Sequence, residues 1–168
     1  AGAGLHQHRC AAQGLFFALA VAAEGQIADH PGAGLPALAA ARHAFGAGAM
    51  LALCADHSVM RADRGFWSLP EAALAMPFTR GMAALIRTRL ADATAPEAML
   101  TSRRYGADDA AAAGIVGEAA SVDDLLGRAR AVAAERQQVA GPNLGLIKKG
   151  LRTPLLDDLA VITPATLL

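Results

Sequence analysis

The sequence lacks an excess of either charge. Fifteen basic residues stand against fifteen acidic ones, so no global field draws it to nucleic acid or to an anionic membrane surface. Aromatic residues are scarce, at 4%. Cysteine is limited to Cys10 and Cys54. Two cysteines without a CxxC or Cys/His ligand spacing exclude a disulfide scaffold and argue against a structural zinc site, so no metal is expected. Such cysteine usage fits a reducing cytosol, and a cytoplasmic location is the expectation. Lys-rich and Ser/Pro-rich tracts are also missing, which excludes a tail or linker protein. The apolar run 14–23, GLFFALAVAA, is too short to span a bilayer. It reads as a buried strand or helix, with a leader peptide as the alternative.

What is present is enough apolar side chain, 54% of 168 residues, to fill the core of one ordinary domain. Alanine and glycine dominate, which favours closely packed helices. Residues 1–36 are irregular, with recurrent glycine and with Pro31 and Pro36 as breaks. Residues 35–41 fit a buried strand, followed by a glycine turn and an apolar helix from about Gly48. Residues 57–60 and 66–68 read as short strands on either side of a charged turn. The second half reads as helices. One covers 79–90 with Met82, Leu85, Ile86 and Leu90 on one face. A short helix opens at a Thr94…Glu97 capping box. Another covers 108–113, with Gly114 as its left-handed cap. A long helix opens at Ser121–Asp124 and ends at Gly141-Pro142. A last one covers 144 to about 151, and the tail from Thr153 reads as irregular. Strands early and helices late point to a mixed α/β layer fold.

Three features are able to carry chemistry. Gly46-Ala47-Gly48 follows a strand and opens a helix, so an oxygen anion is able to approach backbone N–H groups there. The turn is neither a P-loop nor a GxGxxG dinucleotide turn, and a tight packing turn is the alternative. Glu71 is the only carboxylate between Asp63 and Asp92, inside an apolar and aromatic stretch. Poor solvation there raises a carboxyl pKa and suits a proton shuttle, while a solvent-exposed glutamate at a helix start is the alternative. His43, Asp56 and His57 lack an accompanying GxSxG, and Asp56-His57 reads as a helix-to-strand junction. Lys148 and Lys149 form a solvated face or receive a phosphate.

Three segments together resemble the crotonase (enoyl-CoA hydratase/isomerase) superfamily. Residues 35–55 are similar to its strand, glycine turn and helix. Residues 66–90, with Ser68-Leu69-Pro70-Glu71 and Met76-Pro77, are similar to its Pro-Glu segment and amphipathic helix, and look closest to the Δ3,Δ2-enoyl-CoA isomerase branch. Residues 100–118 are similar to its Leu-Thr/Ser-Gly and Ala/Gly signature. The resemblance covers about 36–152. It implies a spiral of ββα units, shortened at the N-terminus, with a core remnant over 1–106 and a helical trimerisation region over 107–168.

The resemblance also implies an enoyl-CoA isomerase-like activity. Ala47 and, in the N-terminal segment, Leu15 would donate N–H groups to a thioester enolate. Glu71 would carry the proton between C2 and C4. Met50 stands where the hydratases have a water-activating glutamate, which argues for isomerisation over hydration. Phe45, Gly46, Gly48, Met50, Trp67, Leu69, Pro70, Met76, Phe78, Lys148 and Lys149 would contact substrate. The implied partner is an acyl-CoA, with coenzyme A as part of the substrate and no separate cofactor, and the implied assembly is a homotrimer or dimer of trimers. The alternatives are a catalytically incomplete relic or interaction protein of the same fold, or another crotonase reaction: hydratase, hydrolase or decarboxylase.

Overall fold

The computed structural model describes residues 18–21 and 37–162. Its elements run β1 (Ala18–Val21), β2 (Ala37–Ala40), β3 (Ala44–Phe45), α1 (Ala47–Cys54), β4 (Ser58–Arg61), β5 (Trp67–Ser68), α2 (Arg80–Arg89), α3 (Thr94–Thr101), α4 (Ala107–Ala112), β6 (Glu118–Ala120), α5 (Leu125–Gln137) and α6 (Pro142–Leu159). The mixed α/β layering expected from the sequence is what the chain adopts.

A four-stranded sheet has the order β1-β2-β4-β6, with β1 antiparallel to β2 and the other pairings parallel. Strand β2 reads Ala-Leu-Ala-Ala and is buried along its whole length, as a strand covered on both faces must be. Side-chain alternation assigns the two faces. Ala37, Ala39 and Val59 pack on Leu125, Ala129, Val132 and Ala133 of α5. Leu38, Ala40 and Met60 belong to the larger core, with Leu53 of α1, Ile86 of α2 and Ala98 of α3. Small residues on both sheet faces let the helices sit close.

Helix α2 lies within one residue of the expected 79–90 span, and Thr79 stands just outside it as a side-chain N-cap, its hydroxyl accepting the Met82 N–H at 3.2 Å. It packs on α1 and on α6. Gly81 makes the α6 contact possible, because a Cβ there would lie 2.8 Å from Leu159 Cδ2 and 3.1 Å from its Cα.

Three expectations are corrected. Thr94 is not a cap: it lies inside α3, buried, and its hydroxyl donates to the Ala113 carbonyl at 3.1 Å, tying α3 to the end of α4. Residues 118–120 form a strand, β6, where the sequence pattern points only to helices. Helix α6 does not stop near 151 but continues through Pro154 to Leu159. The proline removes an N–H bond to the carbonyl of Gly150. That glycine has open space around it, and Thr153 Oγ1 donates to the Lys149 carbonyl at 2.8 Å. The irregularity therefore stays on the solvent side.

Candidate active site

Two segments of the chain meet through a second, two-stranded sheet. Strands β3 and β5 pair in parallel, with Ala44 opposite Trp67 and Phe45 opposite Ser68. The pairing continues into the glycine turn, where the Gly46 N–H donates to the Ser68 carbonyl at 3.1 Å. Gly46 has φ +55° and ψ −119°, a conformation open to glycine, and a Cβ on it would sit 3.8 Å from the ring of Pro70. The residue before Glu71 is therefore packed against the residue before Ala47.

Ala47 is the first residue of α1. The opening N–H groups of a helix have no intrahelical acceptor, and the helix dipole places positive potential there. No acidic residue occupies the first turn to compete for it. Gly48 and Met50 are buried behind the turn, and the Met50 N–H donates to the Gly46 carbonyl at 3.1 Å.

Glu71 is 5% exposed, and its Oε2 is buried without a hydrogen-bond partner among the described residues. Burial pushes its carboxyl above the ordinary value, and a backbone N–H pulls it back only in part. The glutamate opens a tight turn. Its own carbonyl accepts the N–H groups of Leu74 at 3.1 Å and Met76 at 2.9 Å. Ser102 holds the turn from outside: its Oγ accepts the Ala73 N–H at 3.1 Å, and its carbonyl accepts the Ser68 hydroxyl at 3.1 Å.

The remaining expected site residues divide into three groups. Phe45 and Met76 keep exposed apolar surface beside these turns, Phe78 is partly buried against the core, and Phe45 meets Phe66 edge-on at 6.2 Å. Trp67 and Leu69 are fully buried, so they depart from the expected substrate contact and support the site from behind. The Trp67 indole N–H donates to the Ala49 carbonyl at 3.0 Å. Lys148 is not at the turn. It pairs, together with Arg152, with Asp56, just beyond the C-terminal end of α1 and one helix length from Ala47. Lys149 is exposed on α6. Leu15 lies outside the described residues. His57 also serves structure: its ring lies against Gly117, where a Cβ would come within 2.0 Å of Cε1.

Ser68 and Ser102 stand in segments that carry the family resemblance, but the sequence marks neither as a site residue. The partners of Ser102 lie 34 and 29 positions away in the chain, and no local pattern announces them.

The Gly46–Pro70 contact thus brings a helix start and a buried carboxyl into one neighbourhood, a pairing whose chemistry suits oxyanion stabilisation and proton movement. Comparison with known proteins places the chain in a family. The enoyl-CoA hydratase/isomerase family profile matches residues 33–162. Carnitinyl-CoA dehydratase from Escherichia coli K12 is 36% identical over 149 residues, covering 80% of this chain and 57% of the relative. The Salmonella arizonae protein of the same name is 34% identical over 149 residues, with the same coverage. The chain thus spans a little over half the length of the curated relatives it matches. An enoyl-CoA hydratase/isomerase family protein from Pseudomonas syringae superposes with a TM-score of 0.66 at 30% identity, covering 70% of this chain and 51% of that one. An enoyl-CoA hydratase from Mycobacterium ulcerans reaches a TM-score of 0.69 at 24% identity, covering 74% and 54%, and shows the shared fold.

Proposed function

Because the chain belongs to the enoyl-CoA hydratase/isomerase (crotonase) family, we propose that it shifts the double bond of an enoyl-CoA through a thioester enolate. The Ala47 N–H is one donor to the enolate oxygen. Glu71 as carboxylate takes a proton from C2 of a 3-enoyl thioester. The C–H electron pair moves into the conjugated system, and the thioester oxygen carries the charge. The same carboxyl then returns the proton at C4, leaving the 2-enoyl thioester. Protons balance on Glu71 alone, and no water enters. A second donor from the N-terminal segment, with Leu15 as the candidate, completes this proposal. So does assembly as a homotrimer or dimer of trimers through the C-terminal helices, where Ile147 and Leu151 of α6 are exposed.

The observation that carries the reading is the asymmetry of the two acid/base positions. Glu71 is a buried carboxyl beside the glycine turn, while Met50, one turn into α1, is a thioether that neither activates nor protonates water. A second reading draws on the dehydratase name of the relatives. Loss of water from a 3-hydroxyacyl thioester passes through the same enolate, with Glu71 also protonating the leaving hydroxyl.

The deciding experiment follows deuterium uptake at C2 of an acyl-CoA in D2O, then product analysis with 3-enoyl-CoA and 3-hydroxyacyl-CoA. Exchange in the wild type and none in Glu71→Gln supports the enolate. Equal rates in the two proteins overturn it. Conversion of the hydroxy substrate in preference to the 3-enoyl one selects dehydration.

Among the described residues, no helix is long and apolar enough to cross a membrane.

A further inference from the structure

The described residues contain two non-glycine positions with left-handed backbone, Ala75 at φ +52° and Ser102 at φ +52°. Both belong to the surroundings of Glu71. Left-handed backbone is unfavourable for a side-chain-bearing residue, and such outliers gather where surrounding contacts impose them. Ala75 lies within the turn that Glu71 opens. Ser102 ends α3 and reaches the turn from the other side.

The bonds of Ser102 show what its conformation achieves. Its hydroxyl accepts the N–H of Ala73, two residues after Glu71. Its carbonyl accepts the hydroxyl of Ser68, a residue that is 1% exposed. The carbonyl of that same Ser68 takes the N–H of Gly46. One residue therefore links the turn carrying Glu71 to the strand that holds the glycine turn. Helical backbone at Ser102 would turn its carbonyl and side chain away from these two partners. A glycine would adopt φ +52° without strain, but it has no hydroxyl for Ala73.

We infer that Ser102 is a positioning residue, clamping the Glu71 turn to β5 and so setting where the Glu71 carboxyl points relative to the Ala47 N–H. The inference rests on the proposed function insofar as Glu71 is taken to move a proton. Its structural content stands on the bonds themselves.

The test compares three variants of the chain. Ser102→Gly relieves the backbone and removes the hydroxyl. Ser102→Asn tolerates left-handed backbone and offers a side-chain carbonyl to the Ala73 N–H. Ser102→Ala removes the hydroxyl and keeps the strain. Small misplacements of a reacting group have large kinetic effects, so Ser102→Gly is expected to lower kcat for C2 exchange by about tenfold or more while KM stays within about twofold. The acidic limb of its pH–rate profile moves, hydrogen exchange at the Ala73 amide accelerates, and Ser102→Asn restores all three. Wild-type kcat, pH profile and Ala73 protection in Ser102→Gly overturn the inference. If wild type and Glu71→Gln exchange C2 protons equally, the proposed function fails by itself. Titration of the 13C-labelled Glu71 carboxyl then decides the clamp. A midpoint displaced in Ser102→Gly and recovered in Ser102→Asn supports it, and an unmoved midpoint sinks it.

Discussion

The indole Nε1 of Trp67 donates to the carbonyl of Ala49 at 3.0 Å. This one buried bond pins β5, which leads into Glu71, to the first turn of α1, which begins at Ala47. Replacing Trp67 by Phe keeps an aromatic ring and removes the donor. A lost buried hydrogen bond costs about 1–3 kcal/mol. Denaturant titration is expected to show that loss, and C2 exchange is expected to slow further than a stability change alone explains. An unchanged exchange rate in the folded variant would assign Trp67 to packing only.

Glu71 gives stability a definite pH dependence. Its folded-state pKa is raised by burial. Its contribution is therefore fully present below the unfolded carboxyl value and is lost as pH rises through the folded value. Glu71→Gln is expected to lose C2 exchange and, in denaturation series from acid to neutral pH, to lack that decline. A parallel pair of stability curves would contradict the unsolvated state of the carboxyl.

His57 works in the opposite sense. Burial and the nearby Arg136 and Arg128 hold its pKa below the ordinary imidazole value, against weaker opposition from Glu118 and Glu135. The stabilisation is fully present above the unfolded value and disappears as pH falls through the folded one. A His57→Asn variant should show a shallower loss of stability on acidification than the wild type. Gly117→Ala should destabilise at every pH, because the added Cβ meets the imidazole ring.

Gly81→Ala tests the seat of the last helix. The new Cβ would press on the Leu159 side chain and backbone, and overpacking of this kind costs about 1–3 kcal/mol. The expected outcome is a lower melting temperature with faster amide exchange in α6. Protection in β2 and β4 should change less.

Met50→Glu asks whether one side chain separates isomerisation from hydration. A carboxyl at this 8% exposed position costs about 3 kcal/mol or more if it ionises without a partner, and it raises the Glu71 pKa further by like charge. The expected gain is measurable hydration of a 2-enoyl-CoA relative to C2 exchange. A folded variant with no hydration would show that Met50 does not divide the two reactions.

Residues with local signals are legible in the amino-acid sequence itself. The spacing of Met82, Leu85, Ile86 and Leu90 marks the core-facing side of α2, while the Thr79 cap comes from the structure alone. Glu71 stands out because its sequence neighbours are apolar and aromatic, and its unsolvated state follows from that. Strand β6 carries no such signal. Glu118-Ala-Ala has neither alternation nor β-branching, and it is a strand because β4 offers it a parallel partner. Thr94 and Pro154 mislead for related reasons. A threonine before a helix and a proline inside one are normally boundary signals, but here tertiary contact claims the hydroxyl of the first and open space accommodates the second. Ser102 is illegible because its meaning lies in partners remote along the chain. The Lys148 ion pair is similar: only the seating of α6 on the fold, through α2, reveals that Asp56 holds it.

The small β3–β5 sheet also bears on the order in which the molecule is made. The residues proposed as donor and base, Ala47 and Glu71, both lie within residues 44–76, and the loop closed by pairing Phe45 with Ser68 is short. Closure entropy grows with loop length, and locally connected regions tend to organise fast. This segment is therefore expected to be an early kinetic unit, formed before β6 joins the sheet. The strand–helix–strand frame would form first, and the Glu71 turn would take its final orientation only when Ser102 docks on it.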